Sequence, residues 1–315
     1  MIRVSAPGKL MIAGEYAVLE GAEAVVAAVD RRVQLTLDPT RTREQAGEVP
    51  PEVAGARAVA ERRLGAVDGA MALDVSALRS GDRKLGLGSS SAAAAAAAGA
   101  VYAAHERDTT DPAVRQELLR DALEGHETVA PQGSGADVAA AVLGGFVRFR
   151  RDAGGLRTSA IAWPDGARLL VAWTGKAVRT SDMVAKVRAL QASDPDTYQH
   201  RMGTIADAAT ALITAMEKND VPALIRGFDA HADAMGGLGR ASGAPIIDDT
   251  SEQIQRLARD AGGAAKPSGA GGGDVVLAVF PDRGTEEAFR SGCASTRIDV
   301  LSIIVGDVGE RVEEQ

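Results

Sequence analysis

Lys84-Leu85-Gly86-Leu87-Gly88-Ser89-Ser90-Ser91-Ala92 carries the strongest structural signal in this chain of 315 residues. Its glycines let the backbone come close to a ligand. Its serines stand before the alanine run from Ala92 to Ala98. Serine is a strong N-cap and alanine the best helix former, so a helix is predicted to open here. The free N–H groups at such a start, together with the helix dipole, hold phosphate. A serine hydroxyl there also suits the Mg2+ that travels with a nucleotide. No Gly-Lys-Ser/Thr follows, so this is not a Walker A loop. An alanine-rich helix with an ordinary serine cap accounts for the same residues equally well.

Two other glycine-rich segments flank it at a distance. Gly262-Gly263-Ala264-Ala265-Lys266-Pro267-Ser268-Gly269-Ala270-Gly271-Gly272-Gly273-Asp274 precedes an apolar strand. So much glycine is entropically expensive to order, and it makes sense where a loop must pack on a ligand. A flexible loop is the plain alternative. Gln132-Gly133-Ser134-Gly135-Ala136-Asp137 sets an acidic residue after a small-residue turn. Such an aspartate can act on a substrate proton or help hold a metal. It can equally be a helix cap.

Around these segments the pattern is mixed α+β. Strands are expected over residues 2–5, 24–37, 138–150, 169–173, 275–280 and 298–305. Helices are expected over 53–64, from the serines at 89–91, from Pro112 after Thr110-Asp111, and over 181–192, 196–217, 221–236, 250–261 and 285–292. The first half mixes strands and helices and the second begins with successive helices. The expected domains are 1–165 and 166–315.

Composition bounds the rest. Apolar residues make up 45%, charged residues 25% and aromatics 3%, so the core is built from Ala, Val, Leu and Ile. A net charge of -8 argues against a general nucleic-acid binder. Cys293 is the only cysteine, so no intrachain disulfide can form, and it reads as buried filler. Lys9 and Glu15 interrupt the first apolar stretch, no signal peptide is expected, and no segment approaches the roughly 18 apolar residues of a membrane span. The expectation is a cytoplasmic protein without membrane or nucleic-acid partners. His105, His200 and His231 show no metal-ligand spacing and are given no role, and Trp163 and Trp173 are expected in the core.

Together the three segments resemble the GHMP kinases, the family of galactokinase, homoserine kinase, mevalonate kinase and phosphomevalonate kinase. Ala6-Pro7-Gly8-Lys9-Leu10 with Gly14-Glu15-Tyr16-Ala17-Val18-Leu19 is similar to the family's first motif. Gly86-Leu87-Gly88-Ser89-Ser90 is similar to its second, and Gly269-Ala270-Gly271-Gly272-Gly273-Asp274 to its third. The resemblance covers nearly the whole chain. It implies a GHMP kinase fold, with an N-terminal ribosomal-protein-S5-like α/β domain and a C-terminal ferredoxin-like α+β domain. It implies ATP and Mg2+ as cofactors and a small-molecule acceptor, in a monomer or homodimer. It also implies site residues. Gly86, Leu87, Gly88, Ser89, Ser90 and Ser91 would bind the ATP phosphates, with Ser90 on the metal. Lys9 would bridge donor and acceptor, and Asp137 would orient Lys9 or the acceptor. Lys84, Ser134, Lys176, Ser268, Gly271 and Gly272 would meet the acceptor.

Within the family, several details are most similar to the phosphomevalonate kinase branch. They are Tyr16 after Gly-Glu, Lys84, His126 with the run from Gln132 to Val138, Trp173-Thr174-Gly175-Lys176, and Lys266-Pro267-Ser268. That likeness implies transfer of the ATP γ-phosphoryl group to 5-phosphomevalonate. The alternatives are another small-molecule kinase of the family, such as mevalonate kinase, or a non-catalytic member that binds a metabolite.

Overall fold

The structure, a computed structural model, describes residues 1–44 and 47–313. In chain order the first elements are β1 (Ile2–Ala13), β2 (Ala24–Asp38), α1 (Pro51–Leu64), β3 (Ala70–Asp74), β4 (Arg79–Ser80) and β5 (Arg83–Lys84). Then come α2 (Ser89–Ala104), α3 (Pro112–Glu127), α4 (Ala136–Leu143), β6 (Phe146–Asp152), β7 (Gly155–Ala160) and β8 (Arg168–Trp173). The helices α5 (Thr180–Ser193), α6 (Pro195–Glu217), α7 (Val221–Ser242) and α8 (Asp249–Asp260) follow. The chain closes with β9 (Ala264–Pro267), β10 (Val275–Phe280), α9 (Arg283–Thr296), β11 (Asp299–Leu301) and β12 (Arg311–Val312). By their contacts the residues form two units, one of 1–10, 26–147 and 304 onward, the other of 11–25 and 148–303.

In the first unit, strands run in the order β12-β1-β2, with β3 also paired to β2. The helix α2 packs on α1, α3 and α4. Its alanines explain how: Ala92 through Ala98 are all buried, and a side chain of one carbon lets neighbouring helices come close. α1 and α3 cross at Gly55 and Gly125, where a β-carbon on Gly125 would collide with the Ala56 backbone. Asp111 caps α3, its carboxylate accepting from Ala113 N and Val114 N.

In the second unit, β8, β9, β10 and β11 form a four-stranded antiparallel sheet in the order β11-β8-β10-β9. Strand, helices, two strands, helix, strand in that order along the chain is the ferredoxin-like arrangement. α8 and α9 pack on this sheet around Phe280, Phe289 and Cys293. Cys293 is buried, free and pushed up to about 11 by that burial, as filler should be. A second core joins α5, α6 and α7 through Met183, Tyr198, Met202, Ile205, Met235 and Leu238. Aspartates 194, 220, 248 and 282 cap α6, α7, α8 and α9.

Local signals misled in places. Residues 138–150 are not one strand: α4 covers Ala136–Leu143 and β6 begins at Phe146. Ala139, Ala140 and Ala141 favour helix, and only the glycine pair Gly144-Gly145 resets the chain for a strand. The serines at 89–91 do not cap α2 but form its first turn, because Gly88 in the left-handed conformation is the cap. Trp163 and Trp173 are half-buried rather than core.

Candidate functional site

In the first unit, the first and second motifs meet. Lys9 N donates to Leu87 O at 2.8 Å, and a β-carbon at Gly8 would stand 2.7 Å from that same oxygen. Gly86 and Gly88 both have positive φ, 77° and 76°, which only glycine adopts without strain. The stem of Lys9 lies over Gly88, where an added β-carbon would be 2.8 Å from Lys9 Cγ. Lys9 is 9% exposed, and its Nζ reaches Asp137 Oδ2 at 3.2 Å. Asp137 sits in the first turn of α4, and Gly135 in the left-handed conformation opens that helix. Ser134 Oγ accepts from Ala136 N at 3.2 Å, so it braces this turn and still has its own proton to donate.

Because Gly88 brings no capping side chain, the first N–H groups of α2 are left for an anion. Ser90 Oγ lies 3.1 Å from His126 Nε2. Burial pushes His126 below the ordinary histidine range against the opposing pull of Asp137, so it is a neutral imidazole near pH 7. Ser91 is buried at 3% exposure, which leaves its backbone rather than its hydroxyl for a ligand. Beside Ser89 opens a cavity of about 570 Å³ lined by apolar residues such as Val49, Met71 and Leu73 together with the charged Glu48, Glu52, Arg79 and Lys84. A mixed lining of apolar and charged groups beside a helix start suits a nucleoside carrying phosphates.

In the second unit, the third motif folds between β9 and β10. Gly269, Gly271 and Gly272 have φ of 84°, 72° and 76°. Gly272 N donates to Ile246 O at 2.8 Å, and a β-carbon on Gly271 would collide with that carbonyl. Ser268 is buried, its Oγ accepting from Met11 N at 2.8 Å. Lys176 is exposed and pairs with Asp248 at 3.2 Å, while its carbonyl accepts from Asp274 N at 2.7 Å. The loop of Lys176 and the glycine-rich loop are therefore joined through Asp274.

One cluster here escaped the sequence reading. Lys266 and His231 are fully buried and Glu15 is 1% exposed. Lys266 Nζ donates to Glu15 Oε1, and His231 Nε2 accepts from Gly14 N at 3.0 Å. Burial holds His231 well below the usual range, with the Lys266 charge adding to the effect. The motif residues Glu15 and Lys266 were visible in the sequence, but their pairing across 251 positions was not. His231, read as surface or packing, carried no signal beyond lying on an apolar helix.

Mg2+ is the metal that nucleotide chemistry implies. It commonly keeps waters and is held by one or two carboxylates with substrate phosphates. Ser90 and Asp137 fit that habit: the Asp137 side chain is 40% exposed, with one oxygen on Lys9 and the other available. Among the described residues, no three His, Cys, Asp or Glu side chains gather as a metal cluster. No helix among them is long and apolar enough to cross a membrane.

Family models match both parts of the chain, GHMP kinases N terminal domain over residues 52–145 and GHMP kinases C terminal over 212–296. The mevalonate kinase of Aeropyrum pernix is 31% identical over 333 residues, covering 99% of this chain and 98% of the relative. The chain is a GHMP kinase. It is thus a phosphotransferase. The phosphomevalonate kinase of Streptomyces sp. (strain CL190) is 29% identical over 336 residues, covering 87% of this chain and 88% of the relative. Phosphomevalonate kinase of Streptococcus pneumoniae, solved in complex with phosphomevalonate and AMPPNP, shares the fold of this GHMP kinase. It superposes with a TM-score of 0.83 at 21% identity, covering 97% of this chain and all of that one.

Proposed function

We propose that this kinase transfers the γ-phosphoryl group of ATP to the phosphate of 5-phosphomevalonate, giving the diphosphate. The observation that carries the reading is the Lys9–Asp137 pair at 3.2 Å beside the phosphate loop. At that distance the Asp137 carboxylate is engaged in holding the lysine. A phosphate monoester has a second pKa of about 6, so near neutrality it arrives as a dianion and needs no strong base. What it needs is charge neutralisation and alignment. Lys9 supplies a cation between donor and acceptor oxygens, and Asp137 holds it there. The uncapped start of α2 takes the nucleotide phosphates, with the nucleoside in the cavity beside Ser89. Mg2+, held by Ser90 and Asp137, would neutralise phosphate charge. In the first unit Ser134 is the group assigned to the acceptor, while Lys84, in the wall of the cavity given to the nucleoside, falls to the nucleotide instead. In the second unit the assigned groups are Ser268, Lys176 and the backbone at Gly271 and Gly272.

A mevalonate acceptor is the second reading, favoured by the Aeropyrum pernix relative. ADP release with ATP and Mg2+ separates the two, comparing 5-phosphomevalonate with mevalonate, homoserine and galactose. Turnover with 5-phosphomevalonate alone is expected. Turnover with mevalonate alone overturns the acceptor and leaves the kinase.

A further inference from the structure

We propose that Lys266 and Glu15 are positioning residues, a buried pair whose task is to fix the third glycine-rich loop against the Gly14-Glu15-Tyr16 turn. The assignment of that loop to phosphoryl transfer rests on the kinase reading above. All three donors of the ammonium are used: Lys266 Nζ gives to Glu15 Oε1, to Pro267 O at 2.8 Å and to Met11 O at 3.3 Å. Two further bonds seam the same segments together. Met11 N donates to Ser268 Oγ at 2.8 Å, and Tyr16 O–H donates to Ala270 O at 2.5 Å. His231 completes the seat by accepting from Gly14 N. Tyr16 itself is held at φ 61°, a strained value for a tyrosine, so the turn is fixed by its surroundings rather than by its own preference.

Stability alone does not account for such a pair. Two buried charges seldom outperform well-packed apolar residues of the same volume, because desolvation offsets their attraction. What a paired charge adds is a demand for one arrangement. A loop with glycine at 269, 271, 272 and 273 has many backbone arrangements available and few side chains of its own to choose among them. Lys266 stands in β9, two residues before the loop opens at Ser268, and its reach to Met11 O and Glu15 fixes where the loop starts. The Tyr16 hydroxyl then fixes its middle at Ala270. Neither Lys266 nor Glu15 is exposed to a ligand, so both act through the loop.

The test compares wild type, Glu15→Gln, Lys266→Met and the double variant Lys266→Met/Glu15→Met. Lys266→Met leaves a lone buried carboxylate and lowers the melting temperature. The double variant restores an apolar pair and brings the melting temperature back toward wild type. In the unliganded protein, hydrogen exchange of residues 268–273 is expected to speed up about tenfold in the double variant, with α7 unchanged. Turnover with the wild type's own acceptor should fall about a hundredfold in kcat, with KM for ATP within about twofold. Glu15→Gln keeps an acceptor for Lys266 at the same place and should retain most of both. A double variant with wild-type exchange in 268–273 and wild-type kcat overturns the proposal. If the double variant does not fold, Lys266→Met decides: faster exchange confined to 268–273 supports the pair, and unchanged exchange there or faster exchange everywhere overturns it. If wild type turns over no acceptor, the kinase reading fails while the exchange result still judges the pair.

Discussion

The stem of Lys9 occupies the space that a side chain at Gly88 would need. A β-carbon built on Gly88 stands 2.8 Å from Lys9 Cγ and 2.9 Å from Cε, on a residue whose φ is 76°. The glycine-rich loop before α2 and the lysine that faces it are thus one piece of packing. Gly88→Ala should displace Lys9 as well as strain the loop. A misplacement near 1 Å is worth about a hundredfold in rate, and the left-handed alanine adds about 1–3 kcal/mol of strain. Steady-state rates and a thermal melt measure the two effects separately.

Lys9→Ala is expected to cost more than Asp137→Asn. Loss of one preorganised charge at the transferring group is worth about 10²–10³ in kcat. Asparagine at 137 keeps an oxygen 3.2 Å from Lys9 and for the metal, so Asp137→Asn should lose less than Lys9→Ala if the acceptor arrives as a phosphate dianion. Losses of similar size in single-turnover experiments would instead make Asp137 a general base and favour an alcohol acceptor.

His126 faces the Ser90 hydroxyl at 3.1 Å and orients it. His126→Phe should therefore weaken binding of a non-hydrolysable ATP analogue with Mg2+ by about tenfold, the worth of one hydrogen bond to a charged-ligand site. Calorimetric titration with and without Mg2+ reads this directly. The effect should shrink when Mg2+ is left out, and an equal effect in both titrations would remove the link to the metal.

Glu310 gives the fold a pH dependence. Its carboxyl is buried against Gly99 of α2, and burial pushes it up to about 7 against the opposing charges of Arg115 and Arg32. The folded form then holds a proton that the unfolded chain releases earlier. Its contribution is complete below the unfolded value of 4.5 and is lost as pH rises to about 7. The shift corresponds to about 3 kcal/mol at 1.36 kcal/mol per unit. Glu310→Gln should match wild type in melts at pH 5 and exceed it at pH 8. A wild type no less stable than the variant at pH 8 would contradict this.

What the sequence determined by itself was largely local. Alanine propensity, the Asp-Pro start of α3 and the alternating apolar runs placed most helices and strands, because those signals act within a few residues. The three glycine-rich motifs also marked the loops, since a close backbone approach requires glycine wherever it falls. Tertiary structure decided what the loops touch. That Lys9 lies over Gly88 and reaches Asp137, 128 positions away by number, depends on β1 running beside the phosphate loop. That Lys266, a residue usually found in water, is buried on Glu15 depends on α7, β9 and the 11–16 turn closing around it. Propensity has no access to either fact, because a charge is stable inside a protein only through partners that the chain brings from far along its length.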